Sequence, residues 1–223
     1  MTQALIRALD EATSDKRLLE HPFYQAWAAG TLTREDLSFY STQYWRQVEA
    51  FHGYLESLSE RMDEGAARTS IEENLADERD DDHPGLWVRF AEALGRDRAH
   101  LEAADVEPET ASCVDAFGSA TAEASVPFAL GMLYAYESQT PEVAETKVTG
   151  LKDFYGVTGP AAEYFRLHGE LDVEHSRELA GAIAEVATTD EQRAEAVAGA
   201  EAGATAIYGL LDGVARARNI DCN

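Results

Sequence analysis

The sequence predicts an all-α protein, and three features of the chain support that prediction. Alanine, leucine and glutamate dominate long stretches, and no segment alternates apolar and polar residues with a period of two. The six prolines and 16 glycines do not cluster into a linker. At 223 residues, the chain is long enough to bury a substantial core. We therefore expect one helical domain over residues 1–223.

Capping residues, prolines and glycines divide the chain into helices. In the first half we predict helices at about 3–12, 23–29, 34–61, 66–80 and 84–95. Thr33 is the expected N-cap of the long third helix, with Glu35 and Asp36 in its first turn. In the second half we predict helices at about 109–124 and 127–139, one that begins at Thr140-Pro141, and two long ones at 159–187 and 190–218.

The charge balance is strongly acidic. The chain has 42 acidic and 18 basic residues, a formal charge of −24, and only three lysines, Lys16, Lys147 and Lys152. Such a chain should avoid nucleic acid and anionic membranes. An excess of acid with scarce lysine is expected of a cytoplasm rich in salt, where screening removes the repulsion between like charges. We therefore predict a halophilic protein; an ordinary acidic bacterial protein is the alternative.

The cysteines and apolar segments indicate where in the cell the protein should be found. Cys113 and Cys222 are too few and too far apart for a disulfide framework or a cysteine-type zinc site. The first residues, MTQALIRALDEATS, lack the basic and apolar regions of a signal peptide. No apolar stretch approaches the length of a membrane span. We expect a cytoplasmic protein without a membrane partner.

One helical stripe carries metal-binding residue types. His168, Asp172 and His175 lie at i, i+4 and i+7, so they point the same way on a helix, and Tyr164 extends the stripe one turn back. Two imidazoles and a carboxylate on one face suit a first-row metal ion. The alternative is a solvated polar face with two incidental histidines.

Other polar residues fall at positions that should face the core. Glu78 follows the apolar stripe of Ile71 and Leu75, and His83 is followed by apolar residues at i+3, i+4 and i+7. Glu137 ends a segment that is apolar nearly all round, which is typical of a buried helix. A buried carboxylate must be paired, metal-bound or protonated. For Glu137, an ion pair with an arginine is the alternative.

Together these residues supply three carboxylates and three imidazoles from four helices, which is a ligand set for two metal ions inside a bundle. Two divalent ions would leave a net charge of about +1, which favours an anion of reduced oxygen. Sulfur ligands are absent from the set, so iron or manganese fits better than copper(I), and zinc remains an alternative. Lys147 also points inward, beside Val143 and Leu151, where desolvation would make its amine a nucleophile or amine donor. Alternatively, its long side chain could reach the surface.

With these residues in place, the chain resembles the CADD-like branch of the TenA/PqqC superfamily, over nearly its whole length. The segments that carry the resemblance are HPFYQAW, ENLADERDDDHPGLW, YAYESQTPEVAETK and YFRLHGELDVEH. The resemblance implies the haem-oxygenase-like helical fold without haem, and a homodimer. It also implies dinuclear metal ligands at Glu78, His83, Glu137, His168, Asp172 and His175. The interval between Glu78 and His83 is about two residues shorter than the family pattern, which leaves Asp77 as an alternative ligand.

The resemblance further implies a self-sacrificing p-aminobenzoate synthase, which uses dioxygen, a reductant and two metal ions to excise the ring of one of its own tyrosines. Tyr24 would be the ring source and Lys147 the amine donor, with Tyr136 and Tyr164 also involved. From spacing alone, Tyr24 is a core aromatic residue.

Three other functions remain open. An oxygenase of this fold that acts on an external small molecule would keep the six ligands, but it has no use for Tyr24 and Lys147 together. A TenA-type hydrolase of aminopyrimidines or thiamin needs a cysteine nucleophile and no metal. Here, Cys113 is the only interior cysteine, and no partner base is evident. A regulatory or interaction protein is the non-enzymatic alternative, although neither a basic recognition helix nor the charge of −24 suits DNA binding.

Overall fold

A computed structural model describes residues 2–220, which form eleven α-helices and no β-strand. The prediction of an all-α protein is confirmed. The helices are α1 (Thr2–Thr13), α2 (Pro22–Ala28), α3 (Arg34–Ser59), α4 (Ala66–Asp80), α5 (His83–Ala93), α6 (Arg98–Ala103), α7 (Pro108–Glu123), α8 (Val126–Glu137), α9 (Thr140–Gly150), α10 (Glu163–Val186) and α11 (Asp190–Arg218).

The predicted boundaries differ from the structure in three places. The short helix α6 was not predicted, because six residues are too few to show a helical period; an Asp97 N-cap begins it. The helix predicted from residue 159 begins at Glu163, after a 3₁₀ turn at Gly159–Ala162. Finally, α9 continues as a π-helical turn, Leu151–Tyr155, which ends at Gly156 in the left-handed region (φ 66°).

Helices α8 and α11 approach so closely that only glycine fits between their backbones. A Cβ atom at Gly131 would lie 2.0 Å from the carbonyl oxygen of Ala196. One at Gly199 would lie 2.0 Å from that of Phe128. Since α8 ends at Glu137, this contact fixes the position of that carboxylate at the centre of the bundle.

Three arginines of α3 bind the C-terminal ends of neighbouring helical segments. Each guanidinium donates to two main-chain carbonyls that the helix geometry leaves without internal partners. Arg34 donates to Tyr155 and Ala93, Arg46 to Glu102 and Ala104, and Arg61 to Thr121 and Ala124. A planar guanidinium can hold two carbonyls at once, whereas a lysine ammonium is a single point of attachment. This use explains part of the preference for arginine over lysine.

The remaining sequence predictions concern cysteines and membranes. Cys113 is a buried free thiol, and burial raises its pKa to about 12. Cys222 lies outside the described residues. Among residues 2–220, no helix combines the length and apolar character that a membrane crossing requires.

Candidate metal centre

Glu78, His83 and His168 meet in the interior between α4, α5 and α10. The chain reverses between α4 and α5 at Asp82, which adopts the left-handed conformation (φ 52°) and accepts a hydrogen bond from the Gly85 amide at the start of α5. Nδ1 of His83 lies 2.8 Å from Oε2 of Glu78, and Nε2 of His168 lies 3.9 Å from Oε1 of Glu78. One ligand atom from each of the three residues lies within 4.8 Å of the others, so a single metal ion can reach all three.

A hydrogen bond fixes the tautomer of His168. Its Nδ1 lies 2.7 Å from the carbonyl oxygen of Tyr164, and a carbonyl can only accept, so Nδ1 carries the hydrogen. The lone pair is therefore on Nε2, which faces Glu78. Burial and the neighbouring His83 also lower the pKa of His168 well below its usual value. A neutral imidazole with its free nitrogen toward a carboxylate is the form that binds a metal ion.

Glu137, Asp172 and His175 lie next to this group, on α8 and α10. Nδ1 of His175 is 3.5 Å from Oδ1 of Asp172. Nδ2 of Asn74 donates to Oε1 of Glu137 at 2.8 Å, so the partner of that carboxylate is an amide and not the arginine of the alternative interpretation. Sequence reasoning missed Asn74, whose place in the glutamate-rich segment of α4 gave no signal.

The two candidate ligands of α4, Asp77 and Glu78, contact different histidines. Glu78 is buried and belongs to the group with His83 and His168. Asp77 is half exposed, and its Oδ2 lies 3.1 Å from Nε2 of His175, on the outer side of that ring. This is the position from which a carboxylate orients a histidine ligand.

Several buried polar atoms at this centre have no hydrogen-bond partner. They are both ring nitrogens of His83, Oε2 of Glu137, Oδ2 of Asp172 and Oδ1 of Asn74. The short distance from His83 to Glu78 lacks the angle that a hydrogen bond requires. Leaving such groups without partners costs about 1–3 kcal/mol each. Imidazole nitrogens and carboxylate oxygens that converge without partners fit a bound metal ion.

Burial and neighbouring charges shift the pKa values of these groups away from their usual range. Burial raises the pKa of Glu137 to about 8, and the charge of Asp172 acts in the same direction. Burial likewise raises the pKa of Asp172. Burial alone would lower the pKa of His175, but the carboxylates of Asp172, Glu137 and Asp77 outweigh that effect and raise it to about 10. A metal ion would displace the protons that these groups hold.

Lys147 and Tyr24 lie together in a second buried cluster, which also contains Tyr40. Nζ of Lys147 donates to the Tyr40 hydroxyl at 2.9 Å, and the hydroxyls of Tyr40 and Tyr24 are 3.3 Å apart. Nζ lies 4.9 Å from the centre of the Tyr24 ring. Lys147 is 4% exposed, so the alternative in which its amine reaches the surface is wrong. Burial lowers the pKa of Lys147 to about 7.

Two contacts hold the short helix α2 that carries Tyr24. Nε1 of Trp27 donates to the carbonyl of Lys147 at 3.3 Å, and the indole fills the space above Gly150, where a Cβ would lie 2.7 Å from the ring. At the other end, His21 caps α2 and lies 3.1 Å from Asp212 of α11. The helices of Tyr24 and Lys147 are thus bonded directly to each other.

Aromatic side chains connect the two buried groups. The Tyr164 ring stacks on His168 with centroids 4.0 Å apart, and the Tyr44 hydroxyl donates to that of Tyr136 at 3.1 Å. Sequence reasoning did not identify Tyr40 and Tyr44, which lie one turn apart on the buried face of α3. The signal was available, because a tyrosine at a fully buried position needs a hydrogen-bond partner.

Comparison with known proteins decides the family. A family model described as "Iron-containing redox enzyme" matches residues 38–208, most of the chain. The chain belongs to this family. It is therefore a redox enzyme, and its buried group of Glu78, His83 and His168 has the residue types and spacing to hold a metal ion.

Its curated relatives support the CADD-like resemblance. A protein of Nitrosomonas europaea named 4-aminobenzoate synthase is 36% identical over 96% of this chain and 92% of the relative. A Chlamydia muridarum protein of the same name is 36% identical over 92% of this chain and 87% of the relative. The 4-chloro-allylglycine synthase of Streptantibioticus cattleyicolor is 26% identical over 80% of this chain and 70% of the relative.

Solved structures confirm the predicted haem-oxygenase-like, TenA-type fold. A TenA homologue from Pseudomonas syringae pv. tomato superposes with a TM-score of 0.83 at 20% identity, covering 96% of this chain and 92% of that one. A CADD-like protein from Nostoc punctiforme gives a TM-score of 0.78 at 17% identity, with 97% of each chain covered.

Proposed function

We propose that this protein is a 4-aminobenzoate synthase that takes the ring from its own Tyr24 and the amine nitrogen from its own Lys147. Its curated relatives at 36% identity carry the name 4-aminobenzoate synthase. The observation that carries the self-sacrificing part is the sealed cluster, in which the Lys147 amine is 4.9 Å from the centre of the Tyr24 ring.

A chain of hydrogen bonds from the Lys147 amine to the Tyr24 hydroxyl supports this assignment. Nζ bonds to the Tyr40 hydroxyl, which in turn lies beside the hydroxyl of Tyr24. One hydroxyl, that of Tyr40, therefore separates the amine from the phenol oxygen of Tyr24 along this chain of hydrogen bonds. In 4-aminobenzoate, the nitrogen stands para to the carbon substituent, as the phenol oxygen does in tyrosine. We therefore propose that Lys147 delivers its nitrogen to the ring carbon that carries the phenol oxygen.

The side chains around the ring prepare both reacting groups. A pKa of about 7 makes a large fraction of the Lys147 amine neutral, and only the neutral amine is nucleophilic. The Tyr40 oxygen accepts a hydrogen from that amine and so orients its nitrogen. Tyr24 and Lys147 are at most 4% exposed, which keeps water from competing for an oxidised ring.

We assign the redox chemistry to two metal ions, iron with or without manganese. Glu78, His83 and His168 would hold one ion, and Glu137, Asp172 and His175 the other. When bound, these ions supply the activation of dioxygen and the oxidising equivalents, and a cellular reductant restores them. The donors are nitrogen and oxygen atoms without sulfur, as iron and manganese prefer. We also expect a cytoplasmic homodimer that does not bind nucleic acid.

Isotope labelling tests this function. Protein labelled with ring-¹³C₆ tyrosine, reduced, loaded with iron and manganese and exposed to dioxygen, should release 4-aminobenzoate heavier by six mass units. Protein labelled with ¹⁵N-lysine should give product heavier by one unit. Intact-mass analysis should locate the loss at Tyr24, with no more than one product per chain.

Matched variants complete the test. Tyr24→Phe and Lys147→Arg should abolish product while metal content is retained. The controls are Tyr134→Phe, which changes a buried tyrosine bonded to Asp10, and Lys152→Arg at an exposed lysine. Unlabelled product from labelled protein, or many products per chain from an added small molecule, would establish an oxygenase with an external substrate instead.

A further inference from the structure

We propose that Trp87 is the electron relay between the metal centre and the tyrosines beside Lys147. This inference rests on the proposed function, because it supposes that an aromatic ring in the second cluster must be oxidised from the first. Trp87 follows His83 by one helical turn on α5, so it shares the face that looks into the metal centre. It is fully buried.

Ring contacts form a continuous path through Trp87. On one side, its ring centroid is 4.9 Å from that of Tyr164, which itself stacks on His168. On the other side it stacks on Tyr44 at 5.2 Å and meets Tyr40 at 5.8 Å. Tyr40 is hydrogen-bonded to both Tyr24 and Lys147. The indole therefore contacts a tyrosine that touches both reacting groups.

The environment of the indole suits transient oxidation. Nε1 donates to the carbonyl oxygen of Ser41 at 2.9 Å. A neutral carbonyl is not a base, so an oxidised indole would keep its proton and could be reduced again without waiting for a proton transfer. Two phenylalanine rings also contact Trp87, Phe90 at 5.2 Å and Phe165 at 5.6 Å, but a phenyl ring is much harder to oxidise than an indole.

The transfer balances in electrons and protons. Trp87 would give up one electron to the metal ions that residues such as Glu78, His83 and His168 would hold, and dioxygen would be the source of their oxidising equivalents. Trp87 then regains one electron from the Tyr24–Tyr40 pair. The phenol proton that the pair releases moves to the neutral Lys147 amine, which is 2.9 Å from the Tyr40 oxygen. The net products are one neutral phenoxyl radical, one reduced metal equivalent and a Lys147 ammonium group, whose pKa of about 7 allows it to return to the neutral amine.

Rapid-freeze electron paramagnetic resonance tests the relay. Reduced protein loaded with iron and manganese is mixed with dioxygen, and both the tyrosyl radical and the optical decay of the oxidised metal centre are followed. In Trp87→Phe, we expect the radical to form at least tenfold more slowly and the oxidised centre to persist correspondingly longer, with metal content equal to wild type. The matched control is Trp45→Phe, another fully buried tryptophan, whose ring contact is with Arg98 and not with the tyrosines.

A second variant keeps the test valid if Trp87→Phe folds poorly. A fluorinated tryptophan at position 87 alone preserves the shape of the indole but makes it harder to oxidise, so it should slow radical formation in the same direction. Radical formation within twofold of wild type in either variant, or no aromatic radical in the wild type, would overturn the relay. The proposed function fails differently: the product would then lack the Tyr24 label, whatever happens at position 87.

Discussion

The two buried clusters differ in how completely their polar atoms are satisfied. In the metal centre, His83, Glu137 and Asp172 keep nitrogen or oxygen atoms without hydrogen-bond partners. In the second cluster, Lys147 and Tyr24 both bond to Tyr40. A metal ion would satisfy the unpartnered atoms of the first cluster, whereas Lys147 and Tyr24 in the second find their partners within the chain. The first cluster is therefore suited to bind a ligand, whereas the second depends on contacts within the protein.

Metal loading should produce the largest difference between the clusters. At concentrations about 1,000-fold above Kd, each bound ion adds about 4 kcal/mol to the free energy of unfolding, so two ions should raise Tm by about 15–20 °C. Calorimetry with and without iron and manganese measures this shift. His168→Ala and Glu137→Ala should each lose at least one ion by elemental analysis, whereas His100→Ala at an exposed histidine should lose none. Full metal content in both ligand variants would contradict the assignment.

Metal binding should stabilise the folded protein, whereas the burial of Lys147 should destabilise it. Its pKa falls from 10.5 to about 7 on folding. Between these values the unfolded chain binds a proton that the folded chain does not, so the free energy of unfolding rises with pH across that interval. Lys147→Met should therefore be more stable than wild type by about 3–5 kcal/mol below pH 7, and the difference should vanish above pH 10.5. Urea denaturation of both proteins from pH 6 to pH 10.5 measures it; a difference that does not change with pH would mean that the amine is not buried.

The close contact between α8 and α11, which positions Glu137, should be sensitive to a single added methyl group. Gly199→Ala would push a Cβ into the Phe128 carbonyl and should destabilise the protein by about 1–3 kcal/mol. Gly209→Ala, on the same helix, meets nothing within 4 Å and should stabilise it by about 0.5–1 kcal/mol through helix propensity. Thermal unfolding of the two variants compares them directly. Equal effects would show that α8 and α11 do not pack as closely as described.

Salt should distinguish least between the two buried clusters, because it screens exposed charges and not buried ones. The charge of −24 predicts that Tm rises with potassium chloride up to molar concentrations. The rise should be the same in wild type and in Lys147→Met, since neither buried cluster is reached by screening. A Tm that does not change with salt would argue against the halophilic interpretation.

The sequence predicted which helix faces are polar, but not what each face would meet. The spacing of His168, Asp172 and His175 is a local property, so helical geometry alone places them on one side. The Trp27 bond to the Lys147 carbonyl and the Asn74 bond to Glu137 join residues more than 60 positions apart. Such contacts depend on how the helices pack. The family resemblance supplied the pairing of Tyr24 with Lys147, which periodicity could not.

The arginine contacts of α3 should affect the local unfolding of the helix ends that they bind. Arg34 binds the ends of α5 and of the π-helical turn, Arg46 binds the end of α6, and Arg61 binds the end of α7. None of these ends can fray without breaking bonds to α3. Local openings that occur independently in many helical proteins should here be coupled into one cooperative unit. Native-state hydrogen exchange should show amides at the ends of α5, α6 and α7 opening together. Such coupling would keep the buried Tyr24 and Lys147 away from solvent for as long as the bundle stays closed.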